Sequence, residues 1–130
     1  MKHVLVDTSV WVSHFRRRNR ALAALLQVDR VLTHPMIVGE LACGTPPEPR
    51  LRTLGDLDLL RQAHQASASE VRAFIERERL YDQGCGLVDL TLLASALLSG
   101  PAELWTLDKH LGALAARFAI AHRPALPAIR

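Results

Sequence analysis

Short β-branched or apolar runs alternate along this chain with longer stretches of helical periodicity, and that alternation most limits what it can fold into. Strands separated by helices are joined by crossovers, which give a parallel sheet with helices on its faces. Lys2 to Asp7 reads Lys-His-Val-Leu-Val-Asp, a strand ending on an acid, and Thr8-Ser9 supply capping hydroxyls for a helix through Val10, Trp11, Val12 and Phe15. Ala21 to Gln27 is helical in composition, and Val31-Leu32-Thr33 is a second short strand ending near Pro35. Met36 to Cys43 returns to helix, closed by Gly44. The expected fold is therefore α/β, a three-layer sandwich in which helices flank a short parallel sheet.

The second half repeats the pattern. Thr45-Pro46-Pro47-Glu48 matches a capping box with proline in the first turn, so a helix is expected from there through Leu51 and Leu54; Leu57 to Leu60 fits either strand or helix. Ser67-Ala68-Ser69-Glu70 is a second such match, opening a helix with Val71, Phe74 and Ile75 on its apolar face and an end around Tyr81 to Gly84. Val88 to Leu98 is apolar all round, the signature of a buried helix, and Gly100-Pro101 stops it. Glu103 to Thr106 makes a last strand, and Asp108 caps a final helix over Leu111, Leu114, Ala115 and Phe118.

With 130 residues, one domain over 1–130 is expected, its 122–130 stretch an extended tail. Apolar residues at 49% and charged ones at 22% exclude a disordered chain. The run Leu90 to Leu98 is about half of the ~20 residues a membrane span needs, and Asp7 interrupts any secretory apolar region, so a cytoplasmic protein is expected. Cys43 and Cys85 form no metal-binding pattern and read as two reduced, buried thiols. The six histidines lack ligand spacing, Ser9 stands where an aspartyl phosphatase would carry its second acid, and no glycine-rich phosphate loop follows the first strand. A net charge of +3 permits a polyanionic partner without requiring one.

Ligands of such sheets bind beyond the carboxyl ends of the strands. Asp7 ends the first strand and Asp108 follows the last by two residues, so both reach that edge. Asp89 stands in the first turn of the apolar helix, beneath Leu92 and Leu93, and Glu40 lies at the edge of the stripe Ile37, Val38, Leu41. Singly, each aspartate has a sufficient explanation as a cap worth roughly 1 kcal/mol. Together they do not: two unit charges ~4 Å apart cost roughly 4 kcal/mol at an effective dielectric of ~20, so such a cluster calls for cations or raised pKa values. An all-oxygen site selects Mg²⁺ or Mn²⁺.

These residues carry a resemblance. Leu5-Val6-Asp7-Thr8-Ser9-Val10-Trp11, Val38-Gly39-Glu40-Leu41, Gly86-Leu87-Val88-Asp89 with Leu92-Leu93-Ala94-Ser95-Ala96, and Leu104-Trp105-Thr106-Leu107-Asp108 resemble, in order and spacing, the four acidic motifs of PIN-domain ribonucleases, and among them the VapC-type toxins of toxin–antitoxin pairs. Two departures stand out: Val88-Asp89-Leu90 replaces the frequent Ala-Asp-Ala, and Lys109-His110 follow Asp108 where many relatives carry a further acid or Asn, which leaves open one ion or two.

The resemblance implies a Mg²⁺- or Mn²⁺-dependent endoribonuclease in which Asp7, Asp89 and Asp108 hold metal and Glu40 completes the pocket, orienting water or taking its proton. Thr8, Ser9 and Thr106 are candidates to hydrogen-bond these acids, with helix capping and strand propensity as the plain alternative. Arg16, Arg17, Arg18 and Arg20, the densest basic patch, and Lys109 are candidate RNA contacts, or merely solvated. Family analogy adds a homodimer and a VapB-type antitoxin covering the pocket, with 45–60 and 70–81 as candidate interaction surfaces. The competing reading is an inactive PIN-like module that binds nucleic acid or the antitoxin without cutting.

Overall fold

The computed structural model describes residues 2–124, and its element order is strand β1 (His3–Val6), helices α1 (Thr8–Arg16) and α2 (Arg20–Gln27), strand β2 (Val31–Thr33), helices α3 (Pro35–Ala42) and α4 (Arg50–Asp58), strand β3 (Arg61–Gln62), helices α5 (Ala68–Glu78) and α6 (Leu87–Leu98), strand β4 (Ala102–Trp105) and helix α7 (Lys109–Arg117). The strands form one sheet in the order β3-β2-β1-β4, parallel throughout, with helices flanking it. The α/β class expected from the alternation is the one found. No helix among the described residues is long and apolar enough to cross a membrane. Residues 125–130 of the expected tail lie outside the described range.

Val4, Leu5 and Val6 are fully buried, as a central strand covered on both faces requires. Their neighbours are set by register: Leu5 opposes Leu32 on one side and Leu104 on the other. The chain leaves β1 towards β2 and β3, then returns through α6 to β4 on the opposite side. The order thus reverses beside β1, and the crevice beyond the ends of β1 and β4 is where this topology binds ligands. Helix α6 is buried from Leu90 to Ala96 and packs on β4, α5 and α7, in keeping with its all-round apolar sequence.

Three local expectations need correction, and one left open is settled. No capping box forms at Thr45–Glu48: Pro49 is the cap of α4, because a residue preceding proline is turned away from helical backbone and Glu48 precedes one. Arg50 instead donates from its guanidinium to the carbonyls of Ala42 and Gly44, satisfying the end of α3. Helix α5 ends at Glu78, earlier than Tyr81 to Gly84, because Arg79 turns left-handed (φ 55°) and lets Leu80 bury completely. In the ambiguous stretch, Leu57 and Asp58 end α4, Leu59 and Leu60 turn out of it, and the strand follows at Arg61–Gln62. Cys43 is exposed and Cys85 half-buried, so neither thiol is the buried one expected.

Candidate functional site

Each of the four acids is delivered by a different piece of backbone. Asp7 follows the last residue of β1, and its carbonyl starts α1 by accepting the Val10 and Trp11 N–H groups. Asp108 caps α7, its Oδ2 accepting the Leu111 N–H at 2.7 Å. Asp89, in the first turn of α6, accepts the Gly86 N–H at 3.3 Å, and Glu40 lies in the last turn of α3. Glu40 is exposed rather than bordering the core.

The carboxylates share one electrostatic environment. Asp89 is held above the ordinary carboxylate range first by burial, with the Gly86 N–H pulling the other way and the charges of Asp7, Asp108 and Glu40 adding to the rise. The sheet edge and two helix starts thereby bring together acids separated by up to about a hundred residues of sequence.

Hydroxyls brace this arrangement. Asp7 is 5% exposed. Its Oδ2 accepts from Ser9 Oγ at 2.8 Å and from Thr106 Oγ1 at 2.7 Å, which leaves Oδ1 available to a cation. Both hydrogens are spent on Asp7, so the 3.4 Å approach of the two hydroxyls to each other is proximity and not a bond. As acceptors the same hydroxyls fix the following turn: Ser9 Oγ takes the Leu107 N–H at 2.9 Å and Thr106 Oγ1 the Asp108 N–H at 3.0 Å. Asp7 and the Asp108 turn are therefore locked to one another. Thr8 Oγ1 donates to Glu40 Oε1 at 2.6 Å, joining α1 to α3. All three hydroxyl residues singled out from sequence contact a singled-out acid.

One neighbour was missed. Cys85 Sγ, a carboxylate oxygen of Asp89 and one of Asp108 lie within 4.8 Å of one another. Burial, then the charges of Asp89 and Asp108, push the Cys85 thiol up to about 11, so it is protonated at neutral pH. Its position four residues before Asp89, between Gly84 and Gly86, was the available signal.

The basic residues divide. Arg16, Arg17, Arg18 and Arg20 are exposed around the far end of α1, about 13 Å of helix from Asp7. Of these, Arg16 shares a cleft with Glu40: about 400 Å³ between α1, α3 and the Pro46–Pro47 loop, lined also by Val12 and Phe15. Lys109 is exposed beside Asp108. Trp11 and Trp105 are buried in the core, whereas Tyr81 is exposed.

Asp89 and Asp108 lie close enough to share a hard divalent cation, and the ionisation of Asp89 is opposed first by burial and then by its neighbours' charge; the ligand atoms within 4.8 Å of one another do not include Asp7. Known proteins resemble the chain over nearly its whole length. A family model described as PIN domain matches residues 4–117, a span that contains all four acids. Two proteins of Mycobacterium tuberculosis, from strains CDC 1551 / Oshkosh and ATCC 25618 / H37Rv and each named Ribonuclease VapC32, are 40% identical to it over 121 residues, 91% of this chain and 94% of theirs.

Proposed function

The chain belongs to the PIN domain family, and from that premise we propose that it is a metal-dependent endoribonuclease acting as the toxin of a toxin–antitoxin pair. The observation that supports this reading is Asp89, half-buried next to Asp108 and opposed in its ionisation first by burial and then by the charges of Asp7, Asp108 and Glu40.

Asp7 through Oδ1, Asp89 and Asp108 would hold Mg²⁺ or Mn²⁺. Such an ion supplies Lewis-acid activation of water and neutralises charge on the phosphate. Ser9 and Thr106 tie Asp7 to the turn that carries Asp108, which would limit how far the two must move to share an ion. Glu40, exposed and hydrogen-bonded by Thr8, would accept a proton from the attacking water. Arg16, at the other end of the shared cleft, gives an RNA phosphate a cation to meet beside a pocket that would otherwise repel it. Arg17, Arg18, Arg20 and Lys109 extend that positive rim.

The same reading carries a homodimer and an antitoxin of the VapB type as protein partners. Support comes from large apolar side chains without cover: Leu51 on α4 and Leu59 just after it are 80% and 85% exposed, and a groove of about 290 Å³ between α5 and α6 is lined by Phe74, Ala94 and Leu98.

The test is incubation of purified protein, free of antitoxin, with total cellular RNA, with and without Mg²⁺ or Mn²⁺, beside Asp7→Asn. The amide oxygen that this substitution introduces can still accept both hydroxyls, so the variant should stay folded. Discrete metal-dependent cuts that the variant lacks are expected. No cutting with either metal would leave only the binding-module reading.

A further inference from the structure

Cys85 stands at the acidic edge without a task in the nuclease reading. Its sulfur and one oxygen each of Asp89 and Asp108 form a mixed donor triangle whose sides are no longer than 4.8 Å. Tetrahedral zinc, with bonds of about 2.3 Å to sulfur and about 2.0–2.2 Å to oxygen, spaces its ligand atoms roughly 3.5 Å apart. Side-chain rotation by about an ångström therefore closes the triangle on an ion.

The backbone holds the thiol there. Gly84 has φ of 81°, and a Cβ built on it would lie 2.7 Å from His110 Cδ2. The bare Gly84 backbone thus packs against the His110 ring in the first turn of α7, clamping the loop that carries Cys85 beside Asp108. Replacing one oxygen donor by sulfur also changes which ions a site prefers: carboxylates alone suit Mg²⁺ and Mn²⁺, whereas a thiolate favours softer ions.

We propose that Cys85, Asp89 and Asp108 form a three-ligand site for a thiophilic divalent cation of the Zn²⁺ class, with water in the fourth position. On binding, the Cys85 proton leaves to solvent and the sulfur lone pair goes to the ion, with no change of oxidation state. Because Asp89 and Asp108 are also assigned to the hard cation, the two kinds of ion exclude one another. That competition rests on the nuclease reading, whereas binding itself does not.

The probe is Cd²⁺, a spectroscopically visible member of this class, titrated into the full-length protein without other divalent ions. Thiolate-to-cadmium charge-transfer absorbance reports the sulfur bond and calorimetry the stoichiometry. One ion per chain is expected, with an absorbance that Cys43→Ser keeps and Cys85→Ser loses. Asp89→Asn should weaken binding by at least ~10-fold. Gly84→Ala should weaken it too, with both thiols intact. An absorbance that survives Cys85→Ser, disappears with Cys43→Ser or ignores Asp89→Asn would overturn the site. Absent Cd²⁺ binding beside intact metal-dependent cutting removes this proposal and spares the nuclease, and Cd²⁺ binding by a protein that cuts no RNA does the reverse.

Discussion

Asp7 and Asp89 belong to one cluster and live under opposite conditions. Asp7 is buried at the end of the central strand, with two hydroxyls donating to a single oxygen. Asp89 is half-buried at the start of α6 and receives one backbone N–H at 3.3 Å, while burial and three neighbouring carboxylates work against its charge. The first acid is a structural pin that also offers an oxygen outward. The second is held in place by its helix against burial and its neighbours' charge, so a cation beside it would relieve an electrostatic cost.

The largest expected effect is that of Asp7→Ala, which removes the acceptor of two hydroxyls and the link between α1 and the 106–108 turn. Leaving such donors without a partner costs about 1–3 kcal/mol, and cleavage should fall at least ~10²-fold. Urea unfolding and an RNA cleavage assay check the two parts. A variant as stable as the parent would mean that the hydroxyl clamp holds nothing.

Asp89→Asn should lose cleavage to a similar degree, but its metal-free stability should rise at neutral pH. The sign follows from the raised folded-state pKa: ionisation is easier in the unfolded chain, so the carboxylate's stability contribution is greatest below the unfolded value of about 3.9 and is lost as pH rises through the folded one. The amide removes that loss while keeping an acceptor for the Gly86 N–H. Melting curves of the two proteins should therefore differ at pH 7 and converge in acid, and saturating Mn²⁺ should favour the parent alone. A variant less stable than the parent at pH 7 would break the contrast between the two acids.

Thr106→Val tests the contact between the pinned acid and the open rim with little change of shape. The hydroxyl it removes bonds Asp7 Oδ2 at 2.7 Å and the Asp108 N–H at 3.0 Å. A ~10–100-fold loss in metal affinity or activity is expected, with about 1 kcal/mol of stability. Ser9→Ala should behave alike, and the double variant should lose more than the sum, because either hydroxyl alone still secures Asp7. Additive losses would show that the two hydroxyls act on separate parts of the site.

The same division explains what could be read from sequence. Strands β1, β2 and β4 announce themselves through β-branched or apolar runs, and Asp7 and Asp108 follow from where such runs end. Strand β3 does not: Arg61–Gln62 are exposed and become a strand by pairing with Leu32–Thr33 of β2, with the Ala63 N–H reaching the Thr33 carbonyl, contacts remote in sequence. Hydroxyls next to acids were readable because helix starts put them within reach. The proximity of Cys85 to Asp108 was not, since it depends on Gly84 lying against His110 across the fold. Nor could a stripe of apolar residues reveal that Glu40 points to water, because Glu40 borders a cleft instead of the core.

That exposure gives the smallest expected effect. Thr8 Oγ1 donates to Glu40 Oε1 at 2.6 Å, but both ends are open to solvent, so water can replace the hydroxyl. Thr8→Ala should leave stability within about 0.5 kcal/mol of the parent. Its effect should fall on the placement of Glu40 and amount to a few-fold loss in cleavage rate, roughly the worth of one solvent-exposed hydrogen bond at about 0.5–1 kcal/mol. If Glu40 accepts the proton through that placement, Thr8→Ala should do nothing further once Glu40→Gln is present, because the carboxylate it orients is gone. A double-mutant cycle on single-turnover cleavage decides this. Coupling close to the whole Thr8 effect makes Thr8 a positioning residue for Glu40. Full additivity would assign Thr8 to the start of α1 alone and leave Glu40, unlike Asp7, oriented by nothing but its own helix.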